Sequence, residues 1–372
     1  MSGTLRWQGY ADEHSTIPGA EIVQGLDLYW ERGRADAAAL LALAERLSET
    51  GGEDGKQQAA LILRNIAREH LPDEVLRIHR DEVSLGPSLR AEIAVQRQLV
   101  RASEKTGGHS PGSPALTQRG HGRSFAAKLK LPVVPLLQRN VPWAQIHPAA
   151  NTVIKPVRGD DAQGVFLVFA EGDILELSTG ERFSGWQKLR RRARQVESHV
   201  DTRRWTVEEM LQCPGGGPAL SLQFLTFYGE VALVRETVAD QGTTCWYDRE
   251  GNVVRPCATD GGTHSGGGIP AGAVEKAEQI SRKVPAPFLA IGALSSEDGL
   301  YYGEFNTEPS GIHDFTLAAD RILGQRHIEA QARLYADMLG GTAFSVYKKH
   351  SEAWAKKANL RGSSSVAKEK QP

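Results

Sequence analysis

Cysteine is scarce in this chain: Cys213, Cys245 and Cys257 are the only three in 372 residues, and they fall at no metal-ligand spacing. An odd, scattered set excludes a disulfide framework and a structural zinc site, and implies free thiols in a reducing compartment. An excess of either charge is also lacking, since 44 Lys and Arg face 45 Asp and Glu for a net charge of -1. No overall field is available to draw in nucleic acid or a membrane surface, so neither is expected as a partner. No apolar run reaches 18 residues, and Met1-Ser2-Gly3-Thr4-Leu5-Arg6-Trp7-Gln8 contains no apolar core of a leader. A membrane span and a signal peptide are therefore not expected, and a cytoplasmic location is. The Gly-x-x-x-x-Gly-Lys-Ser/Thr pattern is missing as well, which excludes the Walker type of phosphate loop.

What is present changes character near residue 106. Residues 35 to 105 are rich in Ala, Leu, Glu and Arg, with helical periodicity over Ala37 to Ser48, Gly55 to His70 and Leu89 to Glu104, and Pro72-Asp73-Glu74 reads as a helix start. Thr106-Gly107-Gly108-His109-Ser110-Pro111-Gly112-Ser113-Pro114 has the composition of a linker, and beyond it short strands alternate with Gly-rich turns. The fold class is α+β behind a helical N-terminal region. From about Lys348 the chain is polar enough to predict a disordered tail. Lys188-Leu189-Arg190-Arg191-Arg192-Ala193-Arg194 reads first as a solvated helix face, with contact to a polyanion as the other reading.

Two segments carry chemistry. In Tyr302-Gly303-Glu304-Phe305-Asn306-Thr307, the period of a strand puts Glu304 and Asn306 on one face ahead of a Gly-containing turn. A carboxylate beside a carboxamide suits Mg²⁺ held against phosphates, because that ion takes few protein ligands and fills the rest with phosphate and water. A hairpin with a polar outer face is the alternative. In Asn151 to Phe169, Lys155 ends a strand and a loop bounded by Gly159 and Gly164 follows, so an ammonium and unobstructed backbone N–H groups can meet one phosphate. An ordinary hairpin would look the same.

The order of these segments, with Trp205-Thr206-Val207-Glu208-Glu209-Met210-Leu211 between them, resembles the ATP-grasp superfamily over roughly residues 120 to 325. Glu304-Phe305-Asn306-Thr307-Glu308-Pro309-Ser310-Gly311 is similar to the Glu-x-Asn-Thr-x-Pro-Gly signature of D-alanyl-D-alanine ligases. Phe224 to Val231, Cys245-Trp246-Tyr247-Asp248 and Asp320-Arg321-Ile322-Leu323-Gly324 look most like the TupA-like (teichuronopeptide-biosynthesis-like) group, and His264 to Pro270 is similar to sugar-transfer-associated ATP-grasp proteins.

The resemblance implies two subdomains sandwiching ATP: a small lid at 118–206 and a large unit with the metal site at 207–347, preceded by the helical region 1–105 and the linker 106–117, with the tail at 348–372. It assigns Lys155, Gly159 and Gly164 to phosphate, Glu208 to the adenine amino group, backbone groups of Glu209 and Leu211 to the adenine ring, and Glu304 and Asn306 to magnesium. Arg123 stands where a first phosphate-contacting Lys is common. The implied reaction is carboxylate activation by ATP to an acylphosphate followed by attack of an amine, on small-molecule or peptide substrates, with a homodimer left open. Lys155 and Arg235 are the residues expected to stabilise the transferred charge; the other reading of Arg235 is an ion pair with Glu236 or Glu230. His264, His313 and His327 qualify as proton acceptors only by residue type.

The chain departs from the pattern where metal and phosphate are handled. Gly292 stands where an Asp is usual, Ala290 where an Arg is common, and Ser221 and Gln223 replace the group's usual Asp and Lys. A catalytically inert nucleotide-binding descendant and a kinase are the alternatives these departures leave open.

Overall fold

Two antiparallel sheets of six strands each carry the molecule, and their strand order decides which residues can meet. The computed structural model describes residues 19–66, 87–105, 116, 119–157, 162–199, 203–214, 216–257, 264–307 and 314–353. Helices come first: α1 (Gly19–Thr50), α2 (Gly52–Asn65), α3 (Leu89–Lys105) and α4 (Arg119–Lys128). Then follow β1 (Leu136–Val141), β2 (Thr152–Pro156), β3 (Phe166–Ala170), β4 (Asp173–Glu176), β5 (Arg182–Phe183), α5 (Trp186–His199) and β6 (Trp205–Glu209). The second half holds β7 (Leu220–Thr226), β8 (Val231–Val238), β9 (Thr243–Tyr247), β10 (Val253–Val254), α6 (Ala273–Ser281), β11 (Leu289–Ser296), β12 (Gly299–Asn306) and α7 (Leu317–Leu339). Residues 345–353 add a last helix, α8.

The first sheet runs β1-β6-β2-β3-β4-β5. One of its faces, built by Ile154, Phe166, Val168, Ile174, Trp205 and Val207, buries Leu189, Ala193 and Val196 of α5. The other face carries Val153, Leu167 and Leu175, which pack with Met210 and with Ala239 of the second sheet's β8–β9 turn. The alternation is strict because successive strand side chains point to opposite sides. As a result Lys155 and Glu208 lie on the face turned away from α5.

The second sheet runs β10-β9-β8-β7-β11-β12. Its back face packs Phe224, Ile291 and Phe305 on α4, α6 and α8, with the Phe125 ring edge-on to Phe305 at 5.3 Å. Its front face is covered at one end by α7 and α3, where Leu225, Phe227 and Phe288 meet Leu323, Ala330, Leu334, Leu89 and Ile93. Thr316 caps α7 by accepting from the Ala319 N–H at 3.2 Å. Asp320, fully buried, accepts from the Arg90 N–H at 3.0 Å at the start of α3, so a carboxylate of one helix satisfies the end of the other.

Several expected boundaries move. The first helix begins at Gly19 rather than Ala37 and the second ends at Asn65, while Pro72 and most of the linker lie outside the described residues. No strand precedes β1 among the described residues, so this region is helical where it can be seen. The tail expected from Lys348 starts no earlier than 354, because Tyr347 and His350 of α8 pack on Phe125 and hold the helix down. Glu297 and Asp298 form the β11–β12 turn, at the far end of β12 from Asn306.

His327 of α7 sits buried at the α3 junction, 3.9 Å from the Glu92 carboxylate, too far for a hydrogen bond. Burial pushes its pKa down to about 4 from 6.5. The unfolded chain therefore binds this proton first as pH falls, and stability complete above pH 6.5 is lost progressively toward pH 4. We expect a loss of about 3 kcal/mol over that window, and His327→Gln should flatten this part of a denaturant-unfolding series measured against pH.

Candidate active site

On the inner face of the first sheet, Lys155 of β2 and Glu208 of β6 form an ion pair, with Nζ 2.7 Å from Oε2. The register pairs Lys155 with Thr206 and Val153 with Glu208, so the two charged side chains sit one pleat apart on the same face. Glu208 is almost fully buried, and its other oxygen faces Arg123 Nη1 at 4.0 Å. Arg123 comes from α4, which packs against β12 of the second sheet. Burial draws the Arg123 guanidinium below its ordinary value, with Glu208 opposing and Arg139 adding to the fall. A buried carboxylate thus joins a cation of the first sheet to a cation of the helix packed on the second sheet.

The contact continues to the second sheet. A Cβ on Gly122 would stand 2.5 Å from the Gly303 carbonyl oxygen and 3.3 Å from the Glu304 Cα. α4 can approach β12 this closely only because residue 122 lacks a side chain. Gly122→Val should push α4 off β12, carry Arg123 away from Glu208, and weaken nucleotide binding by about tenfold in a calorimetric titration.

Across the front face of the second sheet runs a row of paired residues: Trp246, Arg235, Gln223, Gly292 and Glu304. Asn306 lies on that same face opposite Ala290. Arg235 stacks on Trp246, with Cζ 5.7 Å from the ring centroid, and its Nε is buried without a hydrogen bond among the described residues. Burial lowers the Arg235 pKa, opposed by Cys257, Asp314 and Glu304. The alternative ion pairs are not made. Glu236 points to the opposite face, where it accepts from the Gly267 N–H at 2.8 Å, and Glu230 pairs with Arg333 at 3.2 Å.

Gly292, where the resemblance leads an Asp to be expected, faces Glu304 directly. A Cβ there would lie 2.9 Å from the Glu304 Cβ, so a side chain at 292 would force the two strands or the Glu304 side chain to shift. Asp314, which opposes the lowering of the Arg235 pKa, was not singled out in the sequence.

The chain expected to form the hinge leaves β6 through Met210, whose N–H donates to the Asn151 carbonyl at 3.0 Å. The Glu209 N–H is taken by Pro135 O at 3.2 Å and the Leu211 carbonyl by the Ala219 N–H at 2.8 Å, while the Leu211 N–H meets no acceptor among the described residues. Gly164 has φ +66° and a Cβ there would stand 2.5 Å from Val196 Cγ1, so glycine is required where the loop turns over α5. Gly159 and His313 lie outside the described residues, and His327 sits at the α3–α7 junction among apolar neighbours. His264 Nδ1 accepts from the Gly266 N–H at 3.0 Å, while Nε2 lies buried 3.3 Å from Glu236 Oε1 without making a hydrogen bond among the described residues.

A separate cavity of about 370 Å³ opens at the start of α6, lined by Arg249, Glu250, Pro270, Val274 and Glu275. Its one cation is held by Glu278 at 2.8 Å, and none of the residues above reaches it.

A family model described as TupA-like ATPgrasp matches residues 126–328, more than half of the chain. The chain belongs to the TupA-like ATP-grasp family. Both sheets of the ATP-grasp fold lie within the match, and α4 with Arg123 begins just before it. No curated protein matches the chain by sequence. Solved structures similar to it include D-alanine–D-alanine ligase from Bacillus anthracis complexed with ATP, at 10% identity and a TM-score of 0.40, over 72% of this chain and 84% of that one. The ATP-grasp ligase PsnB complexed with a phosphomimetic variant of its minimal precursor, Mg and ADP follows at 14% identity and a TM-score of 0.36, over 69% of this chain and 71% of that one. L-amino acid ligase from Bacillus licheniformis shows 13% identity and a TM-score of 0.36, over 66% of this chain and 54% of that one. No described helix of this TupA-like protein is long and apolar enough to cross a membrane.

Proposed function

We propose that this protein is an ATP- and Mg²⁺-dependent carboxylate–amine ligase acting in the cytoplasm on an amino acid, a peptide or an amino sugar. The γ-phosphoryl group of ATP passes to a substrate carboxylate, ADP leaves, and an amine then displaces phosphate from the acylphosphate. The observation that carries this reading is the Lys155–Glu208–Arg123 ion cluster, which brings a cation of the first sheet to one on α4, the helix packed against the strand of Glu304 and Asn306.

Each group has a task suited to its chemistry. Lys155 and Arg123 receive phosphate oxygens, and the loop that includes Gly159 and Gly164 folds over them. The hinge holds adenine through Glu208 and through backbone groups of Glu209 and Leu211. Glu304 and Asn306, on one face of β12, supply the two hard oxygens that suit magnesium. Bound there, the ion would neutralise charge on the transferring phosphoryl group. Arg235, unpaired among the described residues and on that same sheet face, stabilises the charge that spreads in the transition state.

One observation favours a second reading, a nucleotide-binding protein without ligase activity: glycine at 292, packed so that an acid there would displace Glu304. An ADP-release screen against amino acids, peptides and amino sugars separates the two. Release that depends on a free amine supports the ligase and argues against a kinase. Stabilisation by ATP that is equal in Mg²⁺ and in EDTA, with no release for any acceptor, would sink it.

A further inference from the structure

The two cations assigned to phosphate are already engaged. Lys155 Nζ lies 2.7 Å from one oxygen of Glu208 and Arg123 Nη1 lies 4.0 Å from the other, while the Glu208 side chain is only 8% exposed. If a triphosphate draws Lys155 and Arg123 to itself, a buried carboxylate is left without its counter-ions, which is strongly unfavourable. Another donor must then reach Glu208. The Leu211 N–H, three residues on in the chain and without an acceptor among the described residues, is the backbone donor that the proposed function gives to the base. A base with an exocyclic amino group there gives Glu208 an N–H, whereas a 6-oxo purine turns a carbonyl oxygen toward it and repels it.

Resting on the nucleotide-binding part of the proposed function, we propose that Glu208 couples base recognition to phosphate binding: it occupies the phosphate cations of the empty protein and releases them when an amino-bearing base replaces them. Glu208 is thus a specificity-determining residue for the whole nucleotide, beyond its contact with the ring. Phosphate alone, or phosphate attached to the wrong base, must bind against the unpaired carboxylate.

The test is calorimetric titration of the full chain and of Glu208→Gln with Mg²⁺ tripolyphosphate, ATP and GTP, together with tripolyphosphate in saturating adenosine. In the wild type, adenosine should tighten tripolyphosphate binding by about tenfold or more, and ATP should be preferred over GTP by a similar factor, the scale of a hydrogen bond to a charged group. Glu208→Gln should bind tripolyphosphate about tenfold more tightly than the wild type, show no effect of adenosine, and lose the preference for ATP. Equal tripolyphosphate affinity in the two proteins, with no effect of adenosine on the wild type while ATP still binds, would overturn the coupling and leave nucleotide binding standing. Failure of the wild type to bind ATP at all would overturn both. The adenosine effect is measured on the wild type alone, so it decides the matter even if the variant does not fold.

Discussion

Lys155→Ala is expected to lower amine-dependent ADP release by two to three orders of magnitude, or about 2.7–4 kcal/mol of transition-state stabilisation. Its ammonium is the better placed of the two cations at Glu208, and a preformed charge in a partly dry site cannot be replaced by water without reorganisation. The same substitution leaves Glu208 buried with only Arg123 at 4.0 Å, so unfolding stability should also fall, by about 1–3 kcal/mol. The two effects come apart in the double variant Lys155→Ala/Glu208→Gln. There the stranded charge is gone and the midpoint of thermal unfolding should recover, while ADP release stays low. Recovery of both together would mean that Lys155 acts on the fold alone.

Phe125→Ala should cost about 3–5 kcal/mol in a denaturant titration, the largest stability effect we expect from one substitution. The ring is fully buried and meets Phe305 edge-on at 5.3 Å, Tyr347 at 6.3 Å and His350 at 5.4 Å, so it ties α4 to β12 and to α8 at once. Its loss also loosens the helix that carries Arg123. A stability change below 1 kcal/mol would show that α4 is held by Gly122 against Gly303 and not by this aromatic cluster.

Much of the architecture was legible because it is local. The lysine strand and the Glu-x-Asn strand set alternate residues on one face, and the apolar run from Val165 to Phe169 marks the strand after the polar loop; β2, β12 and β3 form there. Helix ends were less legible. α1 starts eighteen residues before the periodic stretch that begins at Ala37, in a segment where Gly25, Asp27 and Gly33 weaken the helical signal. α8 runs through a segment polar enough to read as tail, because only contact with Phe125 shows why Tyr347 and His350 are ordered there.

The sequence by itself determined the α+β class, the family resemblance, and the presence of Lys155, Glu304 and Asn306 on strands. Only the tertiary structure decided what these residues meet. It set Glu208 between Lys155 and Arg123, stacked Arg235 on Trp246 instead of pairing it with Glu236 or Glu230, and closed β11 onto β12 at Gly292. The physical reason is one of range: alternation and propensity act over a few residues, whereas the charge state and partner of a buried group depend on strands and helices brought together from distant parts of the chain.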